Sequence, residues 1–562
     1  MQKTSLLTAA LLAVLHGTVH AAPSAPPATP ATPAAMTAYA NQLLDAQKIP
    51  GDGPGVSVLV ARGDQLLFKG ARGLASVELG VPLRPEHLLR IGSVTKQFAA
   101  AALLKQIDQG QARLDDPLSK YLPDYPNGSQ ITLLQLLNHT SGVKSYTGIP
   151  GYMGNPVRRD LSTAELIREF KDQPPDFAPG EKWAYNNSGY VLLGAVVEAI
   201  SGKSWHQALD GLLLKPAGIS GVHYEAGDQL FKGMARGYTL NTQGQVAPAG
   251  LLSMTQPHAA GALIASAEGL WRWNQALHGG KWLSAASYAR MVTPEGPARA
   301  EHYGFGIVTG MLRGQPMLSH GGGIHGFIST LNYLPKTQTT VVILRNSDSP
   351  GFAMDLVARK LAAFAMGEPF TEPQPVAVPA EQLRAAEGVY AGPDQRQCTL
   401  RVKADALQAQ CSGGGVMPLL PLGSDRFAMA GSLTEITLER SAEGRVVAAR
   451  MADNGETGGP RWVRSGDLPP DRSFISLTAE QMQALVGQYQ SPQFALQVFI
   501  GRDGKLLGQA PGQPAFELQA STARRVHVPQ VDAQLDFSPE AGRATAVTLR
   551  QGPATLEMPR KE

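Results

Sequence analysis

IGSVTKQFAAAALLKQIDQG, residues 91–110, is the stretch whose reading decides the fold. A helix N-terminus precedes alanines and leucines that pack along one helix face, and Gly110 supplies the stop. Ser93 and Lys96 then share the first turn. A separation of three residues puts both side chains on one face, so an amine can reach the hydroxyl that must lose its proton. The positive end of the helix, together with burial, disfavours the ammonium form of Lys96 and leaves an amine base for Ser93.

Two further polar motifs follow in order, Tyr185-Asn186-Asn187 and His320-Gly321-Gly322. The three together read as a serine acyl-enzyme hydrolase. The chain also carries copies of each motif, and context must choose between them. Ser141-Gly142-Val143-Lys144 falls in the loop after an apolar helix and reads as a turn. His278-Gly279-Gly280 closes the amphipathic helix EGLWRWNQAL and reads as a cap. Tyr39-Ala40-Asn41 reads as part of a helix and Tyr125-Pro126-Asn127 as a Pro-Asn-Gly turn. Tyr185 is delivered by a Pro-Gly turn to the start of an apolar helix, where a phenol can relay a proton to a leaving group. His320 sits between two runs of strand character, QPMLS and FISTLNYLP, with three glycines that permit close approach to a ligand.

From about Gly55 to Asp348 the chain resembles the serine beta-lactamase and penicillin-binding family, in particular its class C beta-lactamase, D-aminopeptidase and esterase branch. The resemblance is carried by LLNHTSGV (136–143), PGEKWAYNNSGYVLLG (179–194) and SHGGGIHGF (319–327). It implies an α+β catalytic domain, an antiparallel sheet flanked by helices with an all-helical subdomain, followed by two small antiparallel β-barrel domains. It implies Ser93 as the acylated nucleophile, Lys96 as its base, Tyr185 as proton relay, and Asn187 as partner of Lys96 and of the substrate amide. His320 and Gly322 match the K-T-G position that orients substrate, and the backbone amides of Ser93 and Gly323 form the oxyanion hole. The histidine is a departure from that pattern. Lysine is cationic through the physiological range, whereas histidine titrates near ~6.5. If His320 binds a carboxylate, KM for acidic substrates should rise as pH passes upward through that titration.

Other chemistries are excluded by the residues. There is no G-x-S-x-G elbow, no H-E-x-x-H and no paired C-x-x-C, so neither an alpha/beta-hydrolase nor a zinc enzyme is expected, and no metal or cofactor is assigned. Gly321 to Gly326 matches G-x-G-x-x-G formally, but strand character follows where a dinucleotide site needs a helix. A net charge of +3 on 562 residues, with the basic residues scattered, gives nucleic-acid binding no support.

Residues 1–21 read as a signal peptide: Lys3, an apolar stretch from Leu6 to Leu15, then Val19-His20-Ala21 as the cleavage site. The apolar stretch is too short for a stable membrane anchor. An Ala/Pro-rich spacer occupies 22–36, the hydrolase domain 37–368, a Pro-rich linker 369–379, and the two barrels 380–468 and 469–562, with the last boundary near Pro469-Pro470. The barrels read as a duplication, because Ala380-Glu381-Gln382-Leu383 and Gly388-Val389-Tyr390 recur as Ala479-Glu480-Gln481-Met482 and Gly487-Gln488-Tyr489 at a constant offset. In the second, FALQVFIGRDGKLLGQ reads as a hairpin about Asp503-Gly504. Cys398 and Cys411 bracket TLRVKADALQAQ, a hairpin turning at Ala404-Asp405 that sets them opposite in a non-hydrogen-bonded pair and predicts a disulfide.

The expectation is therefore an exported enzyme, periplasmic or secreted, acting through an acyl-enzyme on Ser93. A peptidase or amidase on small peptides, D-residue-containing ones included, comes first. An esterase using the same site comes next, and then a beta-lactamase or a non-turnover penicillin-binding or sensor protein. The partners are small peptide, amide or ester substrates, and no oligomeric state is assigned. His139 is expected to pin a loop, and Trp271 and Trp273 to pack a helix.

Overall fold

The computed structural model describes residues 31–561 apart from 226–228, 242, 394–395, 413, 469–472, 492–493, 502, 511–514 and 552–553. The expected signal peptide, most of the spacer and the boundary at Pro469-Pro470 lie outside the described residues.

A six-stranded antiparallel sheet organises the catalytic region. Its order is Val308–Leu312, Gln315–Ile324, Phe327–Leu334, Thr339–Arg345, Val56–Arg62, Gln65–Arg72. The neighbouring strands Thr339–Arg345 and Val56–Arg62 are buried on both faces and sort their side chains by period two. Val56, Val58, Val60, Val341 and Ile343 meet the helices Pro33–Ala46 and Met354–Ala365. Leu59, Ala61, Val342 and Leu344 face the other way, into the core shared with the helical subdomain. A slip of one residue would exchange the two sets, each buried aliphatic side chain being worth about 1.5–3 kcal/mol, so the register is firmly set.

The first helix starts at Pro33, before the expected end of the spacer at residue 36. Thr32 caps it by accepting the Ala35 N–H, and proline is tolerated in a first turn where its missing N–H has no intrahelical partner. Met36, Ala40, Leu43 and Leu44 then bury its inner face.

Beyond the proline-rich stretch, eight strands from Gly388–Ala391 to Arg461–Gly466 close into a barrel, the first pairing with the last. Ala404 and Asp405 both have positive φ, as a two-residue type I′ turn requires. Counting outward from Lys403↔Ala406 makes Cys398↔Cys411 a non-hydrogen-bonded pair, and the two cysteines form a disulfide. The last region repeats the barrel's opening: Tyr390 donates to Ala386 O and Tyr489 to Leu485 O, each at 2.7 Å. Its strands divide into a four-stranded and a five-stranded sheet around one apolar cluster, joined by the bridge Tyr489↔Arg560. No helix among the described residues is long and apolar enough to cross a membrane.

Candidate active site

Ser93 lies in a 3₁₀ turn, Gly92–Val94, that runs straight into the helix Thr95–Asp108. Gly92 adopts φ 48°, and a Cβ there would come within 2.9 Å of the Gly323 amide nitrogen. Glycine at 92 therefore lets the serine turn lie directly on the strand that carries His320. Gly322 serves the same approach from the other side: a Cβ would meet the Ile91 carbonyl at 1.9 Å, and Ser329 Oγ donates to that carbonyl at 2.8 Å. The strand runs unbroken over Gln315–Ile324, so the three glycines are ladder residues and only His325-Gly326 forms the turn. The sequence had placed them between strands, because glycine runs ordinarily mark loops.

Lys96 is completely buried (0% exposed). Its Nζ lies 3.0 Å from Ser93 Oγ, 2.8 Å from Asn187 Oδ1 and 2.9 Å from Ala260 O. Desolvation holds its pKa well below the ordinary lysine value. A neutral amine there donates to Asn187 and Ala260 and keeps its lone pair for the serine proton. Asn187 is fixed in turn, its Nδ2 donating to Thr147 Oγ1 at 3.0 Å and its backbone N–H to Ser145 Oγ at 3.2 Å. That use of Nδ2 limits what the side chain offers to a substrate amide.

Tyr185 is 38% exposed, with Lys96 Nζ 4.7 Å from its ring centroid. Burial of the phenol raises its pKa, and a hydrogen bond with Ser93 opposes the rise without cancelling it. The phenol therefore keeps its proton at neutral pH. Beneath the ring lies His139, with centroids 4.5 Å apart. Its Nδ1 accepts the Asn186 N–H at 3.2 Å, so this histidine pins the segment that carries Tyr185.

His320 is 5% exposed and faces away from solvent. Its Nδ1 is 2.6 Å from Gly321 O, which can only accept, so Nδ1 carries the hydrogen and Nε2 accepts from Tyr303 OH at 2.9 Å. Burial first, then the Lys96 charge, lowers its pKa to about 4. The expected titration near neutrality is thus displaced, and at neutral pH the imidazole is uncharged where a K-T-G lysine would be a cation.

A cleft of about 410 Å³ opens over Ser93 between the two subdomains. Gly92, Thr147, Asn187, Ala260 and Gly323 line its floor, and every lining residue falls between 92 and 348. The barrels contribute none of its described walls. A Cβ at Gly323 would meet nothing within 4 Å, so any side chain there would project into open space.

The copied motifs sit elsewhere. Lys144 pairs with Asp176 at 2.7 Å in the loop after Leu133–Leu137. His278 is more than a cap: it is half-buried, stacked on Tyr333 at 4.0 Å and bonded to Tyr288 at 2.8 Å. Trp271 and Trp273 are buried in the helix Ala267–His278 as expected. Sequence reasoning missed Ala260, Thr147 and Tyr303, none of which belongs to a patterned motif. No group of acidic, histidine and cysteine residues among the described residues has the arrangement of a metal site.

A sequence model of the family described as Beta-lactamase matches residues 40–365. The esterase EstB of Burkholderia gladioli is 35% identical over 179 residues, 29% of this chain and 45% of its own. The D-aminopeptidase of Brucella anthropi is 25% identical over 468 residues, covering 80% of this chain and 82% of its own, so the likeness extends past the catalytic region. The octameric penicillin-binding protein homologue from Pyrococcus abyssi shares the fold, with TM-score 0.53 and 24% identity over 76% of this chain and 98% of its own.

Proposed function

The chain belongs to the beta-lactamase family as a serine hydrolase, and from that premise we propose that it is an exported peptidase or amidase on small peptides, acting through an acyl-enzyme on Ser93. The observation that carries this reading is Lys96: fully buried, 3.0 Å from Ser93 Oγ, its other two partners being fixed acceptors.

Lys96 Nζ takes the Ser93 proton as Oγ bonds to the scissile carbonyl carbon. The electron pair displaced onto oxygen is held by the amides of Ser93 and Gly323. Tyr185 gives its proton to the leaving nitrogen and is reprotonated from Lys96, so the amine departs neutral. Water then attacks the ester, losing a proton by the same route, and Ser93 is restored. Asn187 and Ala260 aim the amine throughout. His320, uncharged and committed to Gly321 and Tyr303, acts as a brace for its strand. A protonated phenol beside Ser93 favours amides over esters, since the amine leaving group has the greater need of a proton.

Export is supported by the signal-like residues 1–21 and by the disulfide, which suits an oxidising compartment, periplasmic or extracellular. In this reading the hydrolase domain begins with the helix at Pro33 and ends near 368, followed by a linker over 369–379 and accessory domains over 380–468 and 469–562.

Treatment with a fluorophosphonate followed by peptide mass spectrometry should place one adduct on Ser93, absent from Ser93→Ala. Matched amide and ester substrates of one acyl group should then be hydrolysed. A folded protein that acquires no adduct and turns over neither substrate would point instead to a binding protein.

A further inference from the structure

Resting on the hydrolase reading, the surroundings of Lys96 also show what keeps its two fixed acceptors in place. Asn187 opens the helix Asn187–Ser201, and Ala260 belongs to the single turn His258–Gly261. One turn of helix is too short to hold its own shape. The ends of this segment are tied: Gln256 Nε2 donates to Pro156 O at 2.8 Å, and the Leu263 N–H donates to Thr95 Oγ1 at 3.2 Å. Between them, in Pro257-His258-Ala259-Ala260-Gly261, histidine is the only side chain able to form a hydrogen bond.

His258 is 4% exposed and costly to keep there. Its backbone is left-handed at φ 45°, and its Nδ1 is buried with no partner among the described residues. Room for the ring comes from Gly194, a glycine in a helix interior, where a Cβ would lie 2.6 Å from His258 Cε1 and 2.7 Å from Nδ1. Nε2 lies 3.2 Å from Thr163 Oγ1 and 3.5 Å from Glu198 Oε1. An ionised carboxylate only accepts, so Nε2 carries the hydrogen. Glu198 is held in turn by the Trp205 N–H at 3.1 Å. His206, the other titratable side chain beside this pair, is stacked on Tyr224 at 4.2 Å. Strain and an unpaired polar atom gathered at one residue next to a reaction centre point to function.

Asn187, Gly194 and Glu198 are spaced by seven and then four residues, which puts them on one face of their helix. That face reaches Lys96 through Asn187 and the turn through Gly194 and Glu198. One helix therefore sets both acceptors, the first directly and the second through an imidazole. We infer that His258 is a positioning residue, which with Glu198 and Thr163 fixes the turn that aims the Ala260 carbonyl at Lys96 and so directs the amine lone pair at Ser93.

The test reads Ser93 without a substrate, as the rate of fluorophosphonate labelling against pH on the full chain, beside kcat and KM for one amide. His258→Leu fills the place of the ring without a donor, and His258→Gln returns a donor at similar reach on the same backbone. His258→Leu should lose about tenfold or more in plateau labelling rate, and as much in kcat with KM unchanged. Its ascending limb should move to lower pH by about half a unit, because a carbonyl acceptor favours the ammonium over the amine. The titratable groups around Lys96, which are Tyr185, Tyr190, His139 and His320, are the same in both variants. His258→Gln should return to within a few-fold of wild type. Gly194→Ala crowds the ring while leaving every polar group present, and should reproduce His258→Leu. Thr163→Val, which keeps the shape and removes one hydroxyl, should lose a few-fold in the same readouts. Equal labelling by His258→Leu and His258→Gln, or losses confined to KM and stability with a wild-type labelling profile, overturn the positioning role. A wild-type chain that takes no label overturns the hydrolase reading instead.

Discussion

The two Ser-x-x-Lys segments of this chain are identical as patterns and opposite as environments. At 93–96 the lysine has no exposed surface, no carboxylate partner, and the serine hydroxyl within 3.0 Å. At 141–144 the lysine forms an ion pair with Asp176, and Gly142, at φ 70°, packs so closely on Phe177 O that a Cβ would lie 1.9 Å from it. An amine becomes a base only where its charge is costly to keep. The second copy offers the charge a counterion and so preserves it. The motif specifies reach, and burial specifies reactivity.

The strongest way to break this comparison is through the serines. Ser93→Ala should reduce kcat/KM by about 10⁴-fold or more, whereas Ser141→Ala should leave hydrolysis within a few-fold and cost about 1 kcal/mol in denaturant unfolding. Comparable losses in both variants would erase the distinction. The lysines sharpen it. Lys96→Met should lower kcat by about 10³-fold, and Lys144→Met should lose under 1 kcal/mol of stability and little activity. Because Lys96 must be neutral to act, wild-type kcat/KM should climb with pH and level off well below the ordinary lysine pKa of 10.5. A rise continuing to 10.5 would mean that burial does not tune this amine.

The smallest effects should come from the two His-x-Gly copies, where burial is shared. His320 titrates at about 4 and His278 at about 3, both below the unfolded value of 6.5. Between those limits the unfolded chain binds the proton and the folded one does not. Stability is therefore fully present above pH 6.5 and is lost as pH falls toward 4, by an amount on the order of 3 kcal/mol for His320. Acid titration of unfolding should show His320→Gln and His278→Gln each flattening that slope. Only His320→Gln should also lower kcat, through its bond to Tyr303. Equal kinetics in the two variants would assign both histidines to packing alone.

Much of this was legible from residues alone. Apolar periodicity and turn residues placed Ser93 and Tyr185 on the right kinds of element, and alternation about Ala404-Asp405 placed the cysteines opposite one another, whereas His320 and its glycines lie within a strand that the glycine run had seemed to interrupt. What could not be read were partners without side-chain chemistry or pattern. Ala260 contributes only a carbonyl, Thr147 holds Asn187 from a loop, and Tyr303 reaches His320 from the segment before its strand pair. The protonation state of His320 was misjudged for a related reason: exposure is a property of the packed layers, and the motif does not encode them. The closing module was read as a barrel from its strands, but how they divide between sheets depends on a corner at 517–519 that carries no turn signal.

The central sheet also imposes an order of events. Val56–Arg62 leaves the ribosome early, as do Ser93 and Lys96, yet its second neighbour, Thr339–Arg345, arrives near the end of the catalytic region. The partner amide at Gly323 comes almost as late. Pairing so remote in the chain is slow to form, because loop closure must precede the contacts that reward it. Until those last strands dock, the serine turn has nothing to rest on and the lysine remains hydrated and charged. The reactivity proposed for Ser93 therefore waits on closure of the sheet.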